Sequence, residues 1–195
     1  MSAPRPMGEQ VLEALRRRAS AKEHDYDFSR TVEPAKIEAV LDAGRWAPSS
    51  RNLQPWLFHA VTDPALRSRM NALAGHDGNR WIFDCSVNVV ITVGPTEFVR
   101  DAGDPKLWFD AGLACQNMLL AANALGLACC PTGGWDEAGL KLALGLPEER
   151  RAVCMICLGY PARYDPDGHP QWTGRARDRK PLPEVAPPVR DPGRS

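Results

Sequence analysis

The sequence has no excess of charge of either sign: 24 Lys and Arg face 24 Asp and Glu, which leaves a formal net charge of zero at pH 7. A module that grips nucleic acid through its phosphates carries a clear basic surplus, so that class of function is not expected. An uninterrupted membrane-spanning run is also missing. The longest uncharged stretch, Ala111 to Trp135, contains Gln116, Asn117, Asn123 and Pro131 and reads as a buried helix followed by a strand and a loop. The N-terminal stretch has no apolar core of a secretion signal, because Arg5, Glu9, Glu13 and Arg16 break it up. The four histidines, at 24, 59, 76 and 169, show no metal-ligand spacing, and no zinc site is expected. Six cysteines lie in apolar surroundings without secretory context, so reduced thiols in a cytoplasmic protein are the expectation. Cys154-Met155-Ile156-Cys157 has the spacing of a redox motif, yet it falls in an apolar strand whose alternate residues face apart, and it reads as core, as does Cys129-Cys130.

What is present suits one folded unit. A hydrophobic fraction of 44% with 25% charged residues is that of a globular domain rather than a disordered chain. The expected organisation is a single domain over 1–195, with a core from about 9 to 185 and a Pro-rich tail over 186–195. Proline is over-used, at 18 residues, and is concentrated after Pro181.

Periodicity predicts helices over Glu9 to Ser20, Glu33 to Ala47, Pro64 to Ala74 and Asp136 to Leu144. A further long helix, capped by Asp110 and ending near Gly126, is apolar around most of its circumference, which implies burial on several sides, partly by another subunit. Strands are expected over Leu57 to Val61, Leu127 to Cys130 and Ala152 to Tyr160, with Val87 to Val93 the strongest. Thr96 to Leu107 reads as loop. Beyond Pro161 no periodicity provides a core, so that arm is either disordered or lies across something else.

Three segments carry more polar, conformationally restricted residues than a core requires. In Arg18-Ala19-Ser20-Ala21-Lys22, two cations flank a hydroxyl at alternate positions, and an extended chain points all three the same way. A basic helix end accounts for Arg16 to Arg18 equally well. Pro48-Ser49-Ser50-Arg51-Asn52-Leu53-Gln54-Pro55-Trp56 offers hydroxyls and carboxamides able to match the alternating donors and acceptors of a heterocycle edge; a Ser/Asn/Pro turn is the plainer reading. In Pro131-Thr132-Gly133-Gly134, consecutive glycines between a strand and a helix let backbone N–H groups approach a ligand, although such pairs also occur in simple turns.

Taken in order, Arg-x-Ser-x-Lys at 18–22, Ala-Pro-Ser-Ser-x-Asn-x-Gln-Pro-Trp at 47–56, Asp110-Ala-Gly-x-Ala-x-Gln-Asn, Pro-x-x-Gly-x-Asp at 131–136, Leu146-Pro147 and Leu158-Gly159-Tyr160-Pro161 resemble the FMN-dependent nitroreductase family. The resemblance runs from about Val11 to Val185, and the string ending in Trp56 is its most specific part.

The resemblance implies an α+β fold with a mainly antiparallel central sheet surrounded by helices, and a homodimer that exchanges C-terminal arms. It also implies FMN at the interface, NADH or NADPH as co-substrate, and a small electron-poor acceptor such as a nitroaromatic or quinone. Carried onto this chain, it makes Arg18, Ala19, Ser20 and Lys22 cofactor-binding, with Lys22 electrostatic toward the reduced flavin. Pro48, Ser49, Ser50 and Asn52 come from the other subunit, and Asn79 supplies a mid-chain contact. Pro131, Thr132, Gly133 and Gly134 lie near flavin N5, with the Gly133 backbone N–H as donor. Arg177 and Arg179, ahead of Lys180-Pro181-Leu182, hold the phosphate. No side-chain acid or base is obligatory and no metal is implied. Other reactions of the fold remain open, namely dehydrogenation, dehalogenation or flavin fragmentation, as does a flavin-binding protein without turnover. The pocket lining is expected within Thr96 to Phe109.

Overall fold

Seven consecutive buried residues form β3 (Val87–Val93), as expected of a β-branched run with neighbours on both edges and packing on both faces. The computed structural model describes residues 6–74, 77–172 and 178–186. Along the chain the elements are α1 (Met7–Arg17), β1 (Tyr26–Asp27), α2 (Pro34–Arg45), β2 (Trp56–Val61), α3 (Pro64–Asn71), β3, α4 (Pro105–Ala124), β4 (Ala128–Thr132), α5 (Glu137–Leu144), β5 (Arg151–Pro161) and α6 (Leu182–Val185).

The sheet is antiparallel throughout and centres on β3 and β5. β3 pairs on one edge with β2, from Trp56↔Val93 to Val61↔Asn88, and on the other with β5. The far edge of β5 is shared by β4, from Ala128↔Gly159 to Thr132↔Met155, and by β1 at Tyr26↔Pro161. One face, carrying Val87, Val89, Ile91 and Val93, packs on α2 and α4; the other, carrying Val90, Met155 and Cys157, packs on residues from α3 and α5. The two polar residues inside β3 each hold a side-chain hydrogen bond, although the Asn88 Oδ1 is buried without a partner among the described residues. Asn88 donates to the Ile82 carbonyl at 2.8 Å, and Thr92 receives the Arg150 guanidinium at 3.0 Å.

Helix α4 is the chief packing partner of the sheet. Leu107, Ala111, Ala114, Met118 and Ala122 are buried along it, in contact with the core. It crosses α2 so closely that a Cβ at Gly44 would run into Met118, which is why a glycine stands there despite its cost in a helix. Truncating Met118 to Ala would cost about 2–5 kcal/mol.

Two expectations shift in detail. The cap of α4 is Asp104, whose carboxylate accepts from the Lys106 N–H, with Pro105 at the first turn; Asp110 lies one and a half turns inside the helix and is buried. Proline at a first helical position outcompetes a later capping residue, because its fixed φ is already helical and its missing N–H costs nothing there. Pro131 and Thr132 belong to β4 rather than to the turn after it, because their pairing partners Ile156 and Met155 extend that far. Among the described residues, no helix is long and apolar enough to cross a membrane.

Candidate functional site

Helix α1 stops at Arg17, and Arg18 adopts φ −56° and ψ 124°, so the chain leaves the helix extended. An extended backbone alternates its side chains. Ala19 and Ala21 are accordingly buried, while Ser20 and Lys22 are exposed and Arg18 is half-buried. The helix expected to run to Ser20 thus ends at Arg17, and Arg18, Ser20 and Lys22 form the row that an extended chain gives, with Arg18 Nη1 donating to Ser20 Oγ at 3.4 Å. The segment is fixed from both sides. The Ala21 N–H donates to the Cys129 carbonyl at 2.9 Å, and the Lys22 N–H donates to the buried Asp25 carboxylate at 2.9 Å.

Cys129 lies in β4, the strand that runs on through Pro131 and Thr132 into Gly133 and Gly134. Two of the three polar segments therefore share one side of the sheet, joined through Ala21 and Cys129. Gly133 is exposed, and a Cβ built on it would meet nothing within 4 Å. Its backbone faces open space.

The third segment forms a separate group at the opening of α4. After Pro48 the chain makes a 3₁₀ turn at Ser50–Asn52, and Arg51 and Asn52 within it and Gln54 just after it have φ of 53°, 56° and 48°. These are the only non-glycine residues in the left-handed region among those described. Each such residue costs on the order of 1 kcal/mol, and strain of this kind persists only where the surroundings over-determine it. The determinants are visible. The Ser50 N–H donates to the buried Asp110 carboxylate at 3.1 Å, and the Gln54 N–H donates to Ser49 Oγ at 3.0 Å. Sequence reasoning took Asp110 for a helix cap and missed its bond to this loop. Its position on the inward face of α4, one turn before Ala114, is the signal that could have found it.

Beside this loop lies a largely apolar cleft of about 600 Å³, lined by Pro48, Ser49 and Ser50 on one side and by Pro105, Lys106, Phe109, Asp110 and Leu113 of α4 on the other. Part of the Thr96 to Phe109 segment thus does line a cleft, although its last five residues are helical rather than loop. Phe109 is 68% exposed in the single chain. Arg51 caps the same region by lying over the Phe98 ring, 4.2 Å from its centroid.

The remaining expected residues are less closely drawn in. Asn79 falls within a 3₁₀ segment at Asp77–Phe83, and its side chain lies outside the described residues, as does all of Arg177. Arg179 is exposed in the C-terminal segment and donates to the Asp178 carbonyl at 2.9 Å; among the described residues, no hydrogen bond carries it to either group of its own chain. No three His, Cys, Asp or Glu side chains among the described residues are arranged to hold a metal ion.

Comparisons with known proteins agree with this architecture. The family model described as Nitroreductase family matches residues 15–80 and 78–160. An NAD(P)H nitroreductase, so named, of Haemophilus influenzae is 34% identical over 80% of this chain and 89% of its own length. A Methanothermobacter thermautotrophicus protein named NADH dehydrogenase/NAD(P)H nitroreductase is 29% identical over 80% of this chain and 84% of its own. Among solved structures, a nitroreductase of Desulfovibrio desulfuricans in complex with FMN superposes with a TM-score of 0.74 at 27% identity, covering 97% of this chain and 100% of that one.

Proposed function

The chain belongs to the nitroreductase family, and from that premise we propose that it is an FMN-dependent NAD(P)H oxidoreductase that reduces electron-poor acceptors such as nitroaromatics and quinones. The observation that carries this reading is the outward row of Arg18, Ser20 and Lys22 pinned to the strand that delivers Gly133 into open space. Guanidinium, hydroxyl and ammonium groups suit a phosphate, a ribityl chain and the carbonyl edge of a pyrimidine. The open face at Gly133 suits the close approach of a flat ring to the backbone. The donor set therefore fits FMN.

When bound, FMN supplies the hydride chemistry, accepting from NAD(P)H and passing electrons to the acceptor. The protein's part is to hold, orient and tune. Arg18 and Ser20 bind the ribityl phosphate side, with Arg179 and Arg177 arriving from the partner's arm or their own. Lys22 places positive charge where the reduced ring system gathers negative charge, which favours reduction. Gly133 presents its N–H to the reactive edge of the ring, and Pro131, Thr132 and Gly134 set its position. No side chain needs to move a proton.

Among the described residues, no element covers the strained loop and its cleft. A second subunit explains both this and α1, which has no buried residue and exposes Val11, Leu12 and Leu15 at 54%, 50% and 44%. In the proposed homodimer, Pro48, Ser49, Ser50 and Asn52 reach the flavin of the partner, and the cleft at Phe109 and Lys106 becomes the wall of the acceptor pocket. The test is steady-state oxidation of NADH and NADPH by the FMN-loaded protein across a panel of nitroaromatic and quinone acceptors. Parallel double-reciprocal lines are expected, because both substrates use one pocket in turn. Nicotinamide oxidation that no acceptor accelerates would overturn the assignment.

A further inference from the structure

We propose that Cys115 and Cys154 are an oxidisable dithiol, which closes to an intrachain disulfide when the folded protein meets hydrogen peroxide. The inference does not depend on flavin binding. Cys115 is on α4 and Cys154 on β5, and their sulfurs are 3.6 Å apart, in van der Waals contact. Closing to a disulfide of about 2.05 Å requires an approach of roughly 1.5 Å. Local slack is built in at this point. β3 pairs Ile91 with Cys154 but Thr92 with Ala152, so Val153 is an extra residue and Cys154 sits on a bulge rather than in a regular ladder.

The two thiols also differ in the way the reaction needs. Cys115 is held below the usual thiol range, first by the hydrogen bond from Cys154 and further by the charge of Arg18, so it is the better thiolate. Cys154 is the one cysteine of the six that is not buried, which opens a path for a small oxidant. The competing pair is Cys130 and Cys157, opposite each other between β4 and β5. Both of those thiols are pushed well up, Cys130 chiefly by its hydrogen bond with Cys157 and Cys157 chiefly by burial, and neither is a good nucleophile.

The chemistry balances with peroxide as oxidant. The Cys115 thiolate sulfur forms a bond to one peroxide oxygen, the O–O bond breaks, and hydroxide leaves to be protonated to water. The Cys154 sulfur then attacks the Cys115 sulfur, the S–O bond breaks, and the oxygen departs as a second water with the Cys154 proton. Two thiols lose two electrons in all, and one peroxide becomes two waters. The new bond would tie α4, which holds the strained loop through Asp110, to β5, which pairs with the strand leading to Gly133. Oxidation would thus lock the two halves of the candidate site to each other.

The experiment treats the full-length, flavin-loaded protein with hydrogen peroxide, quenches it, denatures it and alkylates what remains reduced. Intact mass and non-reducing peptide mapping should show two of the six thiols lost, with Cys115 and Cys154 joined in one chain and both recovered by dithiothreitol. In Cys154→Ser, dimedone should label Cys115 as a sulfenic acid, and Cys115→Ser should keep its remaining thiols. Retention of all six thiols in the wild-type protein, or a bond mapped to Cys130 and Cys157 or between two chains, would overturn the proposal; this wild-type result decides even if neither variant folds.

Discussion

Asp110→Ala is the most informative single change, because one buried carboxylate holds a loop that three left-handed residues would otherwise leave. The Ser50 N–H loses its acceptor, and a hydrogen bond to a charged group is worth about 1.5–3 kcal/mol. Alanine returns roughly 0.5 kcal/mol as the better helix former, so the net loss of stability is about 1–2.5 kcal/mol. For a chain of this size that corresponds to roughly 2–10 °C in Tm. The larger consequence is expected at the cofactor. Once released, Arg51, Asn52 and Gln54 relax from positive φ, and binding must then restore about 1 kcal/mol of strain at each. FMN affinity should accordingly fall by up to about 150-fold, the equivalent of roughly 3 kcal/mol if all three relax. Asp110→Asn keeps a carbonyl oxygen for the Ser50 N–H and should lose less than half as much of either quantity. Urea unfolding of the apoprotein gives the first number and fluorescence titration with FMN the second. If Asp110→Ala lost stability as expected but bound FMN with wild-type affinity, the loop would have no part in the flavin site.

Three further outcomes are expected. Gly133→Pro removes the backbone donor and should raise the barrier to reduction by about 2–4 kcal/mol, measured by stopped flow per bound flavin; Gly133→Ala, for which the backbone offers open space, should fall between it and wild type, and equal rates in all three would detach this loop from the chemistry. The His59 imidazole is held below its ordinary pKa of about 6.5, chiefly by burial and then by the Arg150 charge, so the folded state binds fewer protons than the unfolded one. Its contribution is fully present above pH 6.5 and is lost as pH falls below that value toward the folded pKa, and His59→Gln should flatten the fall in Tm there, whereas an unchanged slope would place the effect on other groups. Val11→Glu combined with Leu15→Glu puts two charges on the exposed stripe of α1 and should yield a monomer by light scattering with FMN lost in parallel; a dimer that persists would put the interface elsewhere.

Much of the framework is legible in the residues themselves. The run from Val87 to Val93 needs no tertiary context to be a central strand, and α5 is bounded by Asp136 as its cap and by Gly145 at φ 62°, both local devices. The alternation at Arg18, Ser20 and Lys22 is equally local, since small apolar alanines between polar residues mark a half-buried extended segment. What is not legible depends on partners distant in sequence. Asp110 is sixty positions from the amide it receives, and nothing near it in the chain distinguishes a buried acceptor from a cap. The positive φ values in the loop are likewise imposed by Asp110 and Ser49 rather than by the propensities of Arg51 or Gln54. Cys154 reads as part of a regular apolar strand, and only the bulge at Val153 and the approach of α4 bring it against Cys115. The C-terminal arm carries no core of its own, so its course cannot be inferred from the pattern of its side chains.

The central claim is that this chain passes electrons from a reduced nicotinamide through FMN, and anaerobic mixing of the FMN-loaded protein with NADH and, separately, NADPH tests it most directly. The account predicts that the visible absorption of the bound flavin bleaches in a single enzyme-dependent phase with at least one of the two, and that adding a quinone or nitroaromatic acceptor restores it. A protein that binds FMN stoichiometrically yet leaves that absorption unchanged with either nicotinamide would contradict it and would make the chain a flavin-binding protein without this turnover.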